Sequence, residues 1–186
     1  TPGPFNRNDN IVSTCSIESD DTFGTCTSTI VAHTIGTFTS IVINAEATKA
    51  YIPEGGFNSR IFICSINVDG SLGGCNPTST IHFGFTPGIA INDIQSMFYA
   101  TISSDPGAIG ICSIESDSSL QNCNTWYLTG LDEPADIAIN NTASMAYIVN
   151  SVNGAILSCP LNNGTFSTCS TNFMGIGLSS IALLPQ

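Results

Sequence analysis

Positive charge is almost missing from this chain. Of its 186 residues only three are lysine or arginine (Arg7, Lys49 and Arg60), against fourteen aspartates and glutamates, for a net charge of −11. A nucleic-acid groove needs cations to neutralise phosphates, and an anionic membrane surface needs them too, so neither partner is expected. No apolar run approaches the ~18 residues of a membrane-spanning helix, so no membrane insertion is expected. Helical periodicity is absent throughout, and strong helix formers are sparse. There is no G-x-S-x-G elbow, no glycine-rich phosphate loop and no recognisable grouping of serine, histidine and carboxylate. Histidine occurs twice and tryptophan once.

Cysteine, by contrast, is abundant and regular. The sequence ICSINVDGSLGGC at 63–75 is one unit of a motif written four times. The first cysteine of each unit is Cys15, Cys64, Cys112 or Cys159; the second is Cys26, Cys75, Cys123 or Cys169. The step between units is 49, 48 and 47 residues, and the spacing within them is 11, 11, 11 and 10. A fixed period of this size marks a repeat architecture. Within a unit, β-branched residues at 61–66, a turn at Asn67, Asp69 and Gly70, and Leu72 resuming the apolar pattern read as a β-hairpin. Cysteines on its two arms lie close enough to bridge if a bulge brings them opposite. The expected pairs are Cys15–Cys26, Cys64–Cys75, Cys112–Cys123 and Cys159–Cys169. Eight free thiols in a reducing compartment fit the even, repeated spacing poorly, and zinc fits it no better without histidine partners. The chain opens on Thr1 without methionine, as after removal of a signal peptide. The expected location is therefore secreted and extracellular.

Between hairpins the register persists. Ile41, Ile89 and Ile137 are 48 apart, as are Asn44, Asn92 and Asn140, and Tyr51, Tyr99 and Tyr147. Each repeat thus reads as four short strands: inner (SIVIN, GIAIN, DIAIN, SIALL), second (KAYIP, MFYAT, MAYIV), third and outer. Four antiparallel strands per unit of about 40–50 residues is the β-propeller blade. The expected fold is all-β, a four-bladed propeller-like array of disulfide-stapled antiparallel blades forming a single domain. Its parts are a partial first blade at about 1–39, blades at 40–87, 88–135 and 136–178, and a closing strand at 179–186. A parallel β-solenoid is the alternative architecture, and the hairpin turns argue against it.

The strand Ala146-Tyr147-Ile148-Val149-Asn150 followed by AILSCPLNNGTFSTC resembles the secreted propeller repeats named for their Tyr-Val-Thr-Asn (YVTN) strand. Their relatives include the NHL-type and lactonase-like propellers. The resemblance covers nearly the whole chain and implies a fold more than a function, since propellers host many activities. Such propellers commonly have about six or seven blades, whereas four units are present here. In lactonase-like propellers a channel metal is held by carboxylates and asparagines of inner strands; this resemblance directs attention to Asn44, Asn92 and Asn140, with Asp93 and Asp136 nearby.

Other residues invite chemistry as well. His33 and His82 occupy equivalent places, where a catalytic pair is conceivable but lies a quarter-turn apart; surface histidines are the plainer reading. Glu18, Asp20, Asp21, Asp69, Glu115 and Asp117 gather at hairpin turns, which want such residues even without calcium. The three register asparagines most simply end their strands by accepting Asx-type bonds. Trp126 and Tyr127 could stack on a sugar, or plug the space between blades. Asn140-Asn141-Thr142 and Asn163-Gly164-Thr165 are N-glycosylation sequons.

Taken together, these features point to a non-catalytic structural or interaction protein, with no cofactor and no bound metal. Low charge and a mean hydropathy of +0.25 favour association with other copies of itself. Glycan or ligand binding by a lectin-like propeller is the alternative, and a metal-dependent lactonase-like enzyme a more distant one. Residues 1–39 lack an inner and a second strand, while Ser180-Ile181-Ala182-Leu183-Leu184 is an inner strand without a blade. That segment is therefore expected either to close the ring on the first blade or to be donated to another copy, giving oligomers or filaments.

Overall fold

The computed structural model describes residues 9–33, 36–56, 60–78, 83–173, 175 and 177–183. Sixteen strands and no helix occur among them. β1 (Asp9–Ile17) and β2 (Phe23–His33) form a two-stranded antiparallel sheet. The second sheet holds β3 (Thr37–Phe38), β4 (Val42–Ile43), β5 (Lys49–Gly55), β6 (Ile61–Ile66) and β7 (Leu72–Pro77); β3 and β4 both pair with β5. The third runs in simple order through β8 (Ile89–Asn92), β9 (Met97–Ile102), β10 (Ala108–Ile114) and β11 (Leu120–Trp126). The fourth contains β12 (Pro134–Ile139), β13 (Met145–Asn150), β14 (Ala155–Asn162), β15 (Thr165–Phe166) and β16 (Ser170–Phe173), the last two both lying on β14. The all-β fold of antiparallel repeats read from the 48-residue period is thus present. Successive sheets follow one another as the blades of a propeller do.

Two features depart from the expected strand plan. β3 is a short strand beyond the four expected per repeat, and it pairs with the C-terminal end of β5. In the fourth sheet the expected outer strand is split. The two-residue Asn163-Gly164 turn puts both residues at positive φ, 48° and 77°. That turn matches the right-handed twist of a tight hairpin. It uses up the tip of β14, and β16 then pairs with the remainder. The other three turns are one residue longer, with Asp21, Gly70 and Ser118 in the left-handed region instead.

Each core is shared between neighbouring sheets. Val31 and Ala32 of β2 pack with Ala50, Ile52, Phe62 and Leu72 of the second sheet. Tyr51 and Ile61 of the second sheet pack with Ile89, Phe98, Ala100 and Leu120 of the third. Tyr99, Ile109 and Ile111 of the third sheet pack with Ala146, Ile148, Leu157 and Phe166 of the fourth. This alternation, with one face turned to each neighbour, is why the middle strands β5, β6, β9, β10 and β13 carry buried residues at successive positions, while the outer strands β7, β11 and β16 do not.

The register tyrosines tie the sheets together. Tyr51 donates its hydroxyl to the Ser118 carbonyl in the turn of the next sheet, 3.0 Å away, and Tyr99 donates to the Gly164 carbonyl at 2.9 Å. Each acceptor is a left-handed residue of a hairpin turn. Burial raises the pKa of both phenols, that of Tyr99 to about 12. A raised pKa favours the neutral folded form, so this stability is whole below pH ~10, the pKa of a free phenol, and is lost as pH rises through the raised value. Absorbance titration of phenolate should therefore show Tyr51 and Tyr99 ionising only above pH 10, together with unfolding. Their ionisation at pH 10 with the fold intact would disprove the tie.

Candidate functional site

Three places gather polar side chains: the inner-strand ends, the hairpin tips and the outer strand around Trp126. At the first, the register asparagines act on their own backbone. Asn44 Oδ1 accepts the N–H groups of Thr48 (2.9 Å) and Lys49 (2.8 Å), while its amide donates to Glu46 and to the Thr48 hydroxyl. Asn140 repeats the arrangement with Ser144 and Met145, its amide donating to the hydroxyls of Thr142 and Ser144. Asn92 is buried and engages Gln95 through both ends of its amide. All three close the turn after an inner strand, and their oxygens are engaged there. The Nδ2 of Asn140 that a glycan would use is part of this cap, whereas Asn163 stands exposed at its turn.

Asp136, at the start of an inner strand, is likewise engaged. Its Oδ1 accepts the N–H of Ile137, and its Oδ2 accepts both the Ser180 hydroxyl and the Ile181 N–H at 2.9 Å. The closing segment therefore lies differently from expectation. Residues 179–183 form no strand and sit beside β12, held by Asp136, instead of pairing with β1. The physical reason is local: two donors from consecutive residues meet one carboxylate oxygen there, a charge-assisted arrangement. Leu184, the last residue of the expected strand, lies outside the described residues.

At the hairpin tips the acidic residues shape turns. Asp20, Asp69 and Asp117 accept the backbone N–H two residues on, from Thr22, Ser71 and Ser119. Asp20 and Asp69 also take the hydroxyls of Thr22 and Ser71 at 2.6 Å. These bonds lower all three carboxyl pKa values. No group of three or more metal-ligating side chains occurs among the described residues.

Just behind the tips the structure places disulfides Cys15–Cys26, Cys64–Cys75, Cys112–Cys123 and Cys159–Cys169. In each of the first three the ladder shifts register at the bridge, the bulge that brings the sulfurs together. Four bridges in a small β domain are the chemistry of an extracellular or secreted setting.

The histidines come to little. His33 is exposed and contacts Asp9 at 2.7 Å across β1 and β2; His82 lies outside the described residues. Trp126 ends β11 half-exposed, and Tyr127 is 69% exposed. Tyr127 lines a shallow groove with Leu128, Thr129 and the 166–169 segment of the fourth sheet. Sequence reading missed one charged pair. Arg60 donates through Nε and a terminal nitrogen to Glu54 Oε2, at 3.1 and 3.0 Å, and lies over the ring of Phe62. The spacing of six residues across a loop offers no local signal for it.

No family model matches the chain, and no curated protein matches its sequence. Solved structures do match its shape. A protein from Lactobacillus plantarum superposes with a TM-score of 0.74 at 12% identity, over 92% of this chain and 51% of that one. A chain of the nidogen/laminin complex gives 0.67 at 14%, over 92% of this chain and 64% of that one. The periplasmic gluconolactonase of Pseudomonas aeruginosa gives 0.67 at 11%, over 88% and 50%. At such identities the likeness concerns fold alone, and this chain spans about half to two thirds of those lengths. The fold is that of the β-propellers, laid out here as stapled sheets in sequence.

Proposed function

We propose that this chain is a non-catalytic extracellular interaction protein whose partners include further copies of itself. The observation that carries the reading is how the polar groups of the inner rim are spent. The oxygens of Asn44, Asn92, Asn140 and Asp136 each accept from neighbouring backbone N–H groups. That leaves Asp93 as the one candidate of the set whose carboxylate no such bond engages among the described residues, too few for a cation site. Meanwhile large apolar side chains stand exposed in every sheet, among them Ile17 and Phe23 on the first hairpin, Val68 and Ile94 at turns of the second and third sheets, and Phe173 on β16 of the fourth. Exposed apolar groups on this scale are what contact surfaces offer. Among the described residues β1 pairs only with β2, so an added strand from another copy is one route to oligomers or filaments. The test is a hydrolysis assay with sugar-acid lactones, with and without added calcium. Turnover is expected to stay at the uncatalysed rate in both; calcium-dependent hydrolysis would overturn the reading.

A second reading rests on Tyr127. Its exposed ring, next to Trp126 and above a shallow groove, has the geometry of a sugar-stacking platform. Trp126 is the sole tryptophan, so emission reports on this place alone. Titration with oligosaccharides should change Trp126 fluorescence saturably, and Tyr127→Ala should remove the change. Unaltered emission across neutral and acidic glycans would dismiss it.

A further inference from the structure

We propose that the far face of the fourth sheet, centred on Tyr147, is the docking site for the Cys15–Cys26 hairpin of a second copy of this chain. The inference deepens the self-association just described and rests on it. The molecule itself contains the template twice. At each internal junction a register tyrosine donates to the left-handed turn residue of the next hairpin, and the apolar residue two positions later is buried beside it. Tyr51 meets the Ser118 carbonyl, with Leu120 buried; Tyr99 meets the Gly164 carbonyl, with Phe166 buried against its ring at 5.7 Å.

Tyr147 is the third member of this series, and its hydroxyl has no hydrogen-bond partner among the described residues. Around it, Ala138 and Ile156 take the places that buried Ala90 and Ile109 hold in the third sheet, yet both remain partly exposed. The opposite end of the chain shows the matching half. The first hairpin turns through Glu18-Ser19-Asp20-Asp21, with Asp21 left-handed at φ 62°, nearly repeating Glu115-Ser116-Asp117-Ser118 with Ser118 at 68°. The apolar residue two positions on is Phe23, which is 79% exposed where its counterpart Leu120 is 3% exposed. One end thus presents a tyrosine without an acceptor, and the other a turn carbonyl and an aromatic ring without a cover.

The inner edge of the joint is prepared as well. Residues 180–181 lie against Asp136 of β12, and Asp136 in turn lies so close to Gly88 of the third sheet that a Cβ on Gly88 would fall 2.6 Å from its Cα. The C-terminal segment therefore occupies the inner place of the next blade, and the hairpin of a second copy brings that blade's third and outer strands. Charge does not oppose the seat. Where the template pocket around Tyr51 carries Glu46, the equivalent position beside Tyr147 is Thr142. Two such head-to-tail joints close two copies into one ring.

Sedimentation of the intact chain over the micromolar range, from about 0.01 M to 1 M salt, tests this. Dimers are expected, strengthened by salt because each copy carries −11. Phe23→Asp should leave melting unchanged, its side chain being exposed, and weaken association at least tenfold. Tyr147→Phe, which removes only the hydroxyl, should weaken it about fivefold. Ile156→Asp should block the other end of the joint. Mixing it with Phe23→Asp should restore dimers, since the two variants together still hold one intact joint. Monomers of the native chain throughout would overturn self-association itself; dimers undiminished by Phe23→Asp and Tyr147→Phe would overturn this docking surface alone.

Discussion

Reducing all four disulfides at neutral pH should abolish cooperative thermal melting. Each bridge closes a loop of 10 or 11 residues, which removes about 2–3 kcal/mol of chain entropy from the unfolded state. Four of them match the whole margin of about 5–15 kcal/mol that holds an ordinary domain folded. Because loop lengths are nearly equal, differences between the bridges report burial. Cys112 is fully buried in the core between the second and third sheets, whereas Cys15–Cys26 sits on the exposed hairpin. Paired serine replacement of Cys112 and Cys123 should accordingly cost more than that of Cys15 and Cys26, by the about 1–3 kcal/mol of burying an unsatisfied hydroxyl. Reduced protein that melts like the native form would disprove the stapling role.

Phe98→Ala is the single substitution expected to cost most, about 3–5 kcal/mol. Phe98 is wholly buried on β9, its ring 5.7 Å from that of Tyr51 on the second sheet, with Leu120 and Ala100 beside it. Truncation leaves a void that neither sheet can collapse into, since each is fixed by its own hydrogen-bond ladder and staple. Phe173→Ala, on an exposed position of β16, is the control and should stay within about 0.5 kcal/mol of wild type. Urea denaturation measures both. A loss below about 1 kcal/mol for Phe98→Ala would mean that the two sheets do not share a core.

Much of this was legible in the residues because the period repeats every signal. One hairpin with two cysteines is ambiguous; four at nearly one spacing define an architecture and a pairing together. The same period exposed Asn44, Asn92 and Asn140, whose side chains do the strand-ending work their residue type favours, and it aligned Tyr51 with Tyr99. What it could not reveal was the direction in which those phenols reach, because acceptors 65 or 67 residues away have no sequence mark. Glu54 with Arg60 escaped for the same reason, their meeting being set by the path of a loop. β3 was missed because Thr37 and Phe38 are too short a run to read as a strand. Residues 179–183 read as an inner strand but form none, and the Asp136 carboxylate that holds Ser180 and Ile181 marks no partner in the linear text.

The tyrosine reach has one more consequence, for how such a protein can lengthen. Every unit carries its own covalent clasp, and at two successive junctions a tyrosine of one unit donates to the hairpin turn of the next. A stretch of 48 residues cut at equivalent points, such as Asn44 and Asn92, is therefore a cassette that carries one clasp and one tyrosine donor. Duplicating one in frame repeats the junction that Tyr51 and Tyr99 already make twice. Gene length can thus grow by whole cassettes joined through a contact the chain already uses.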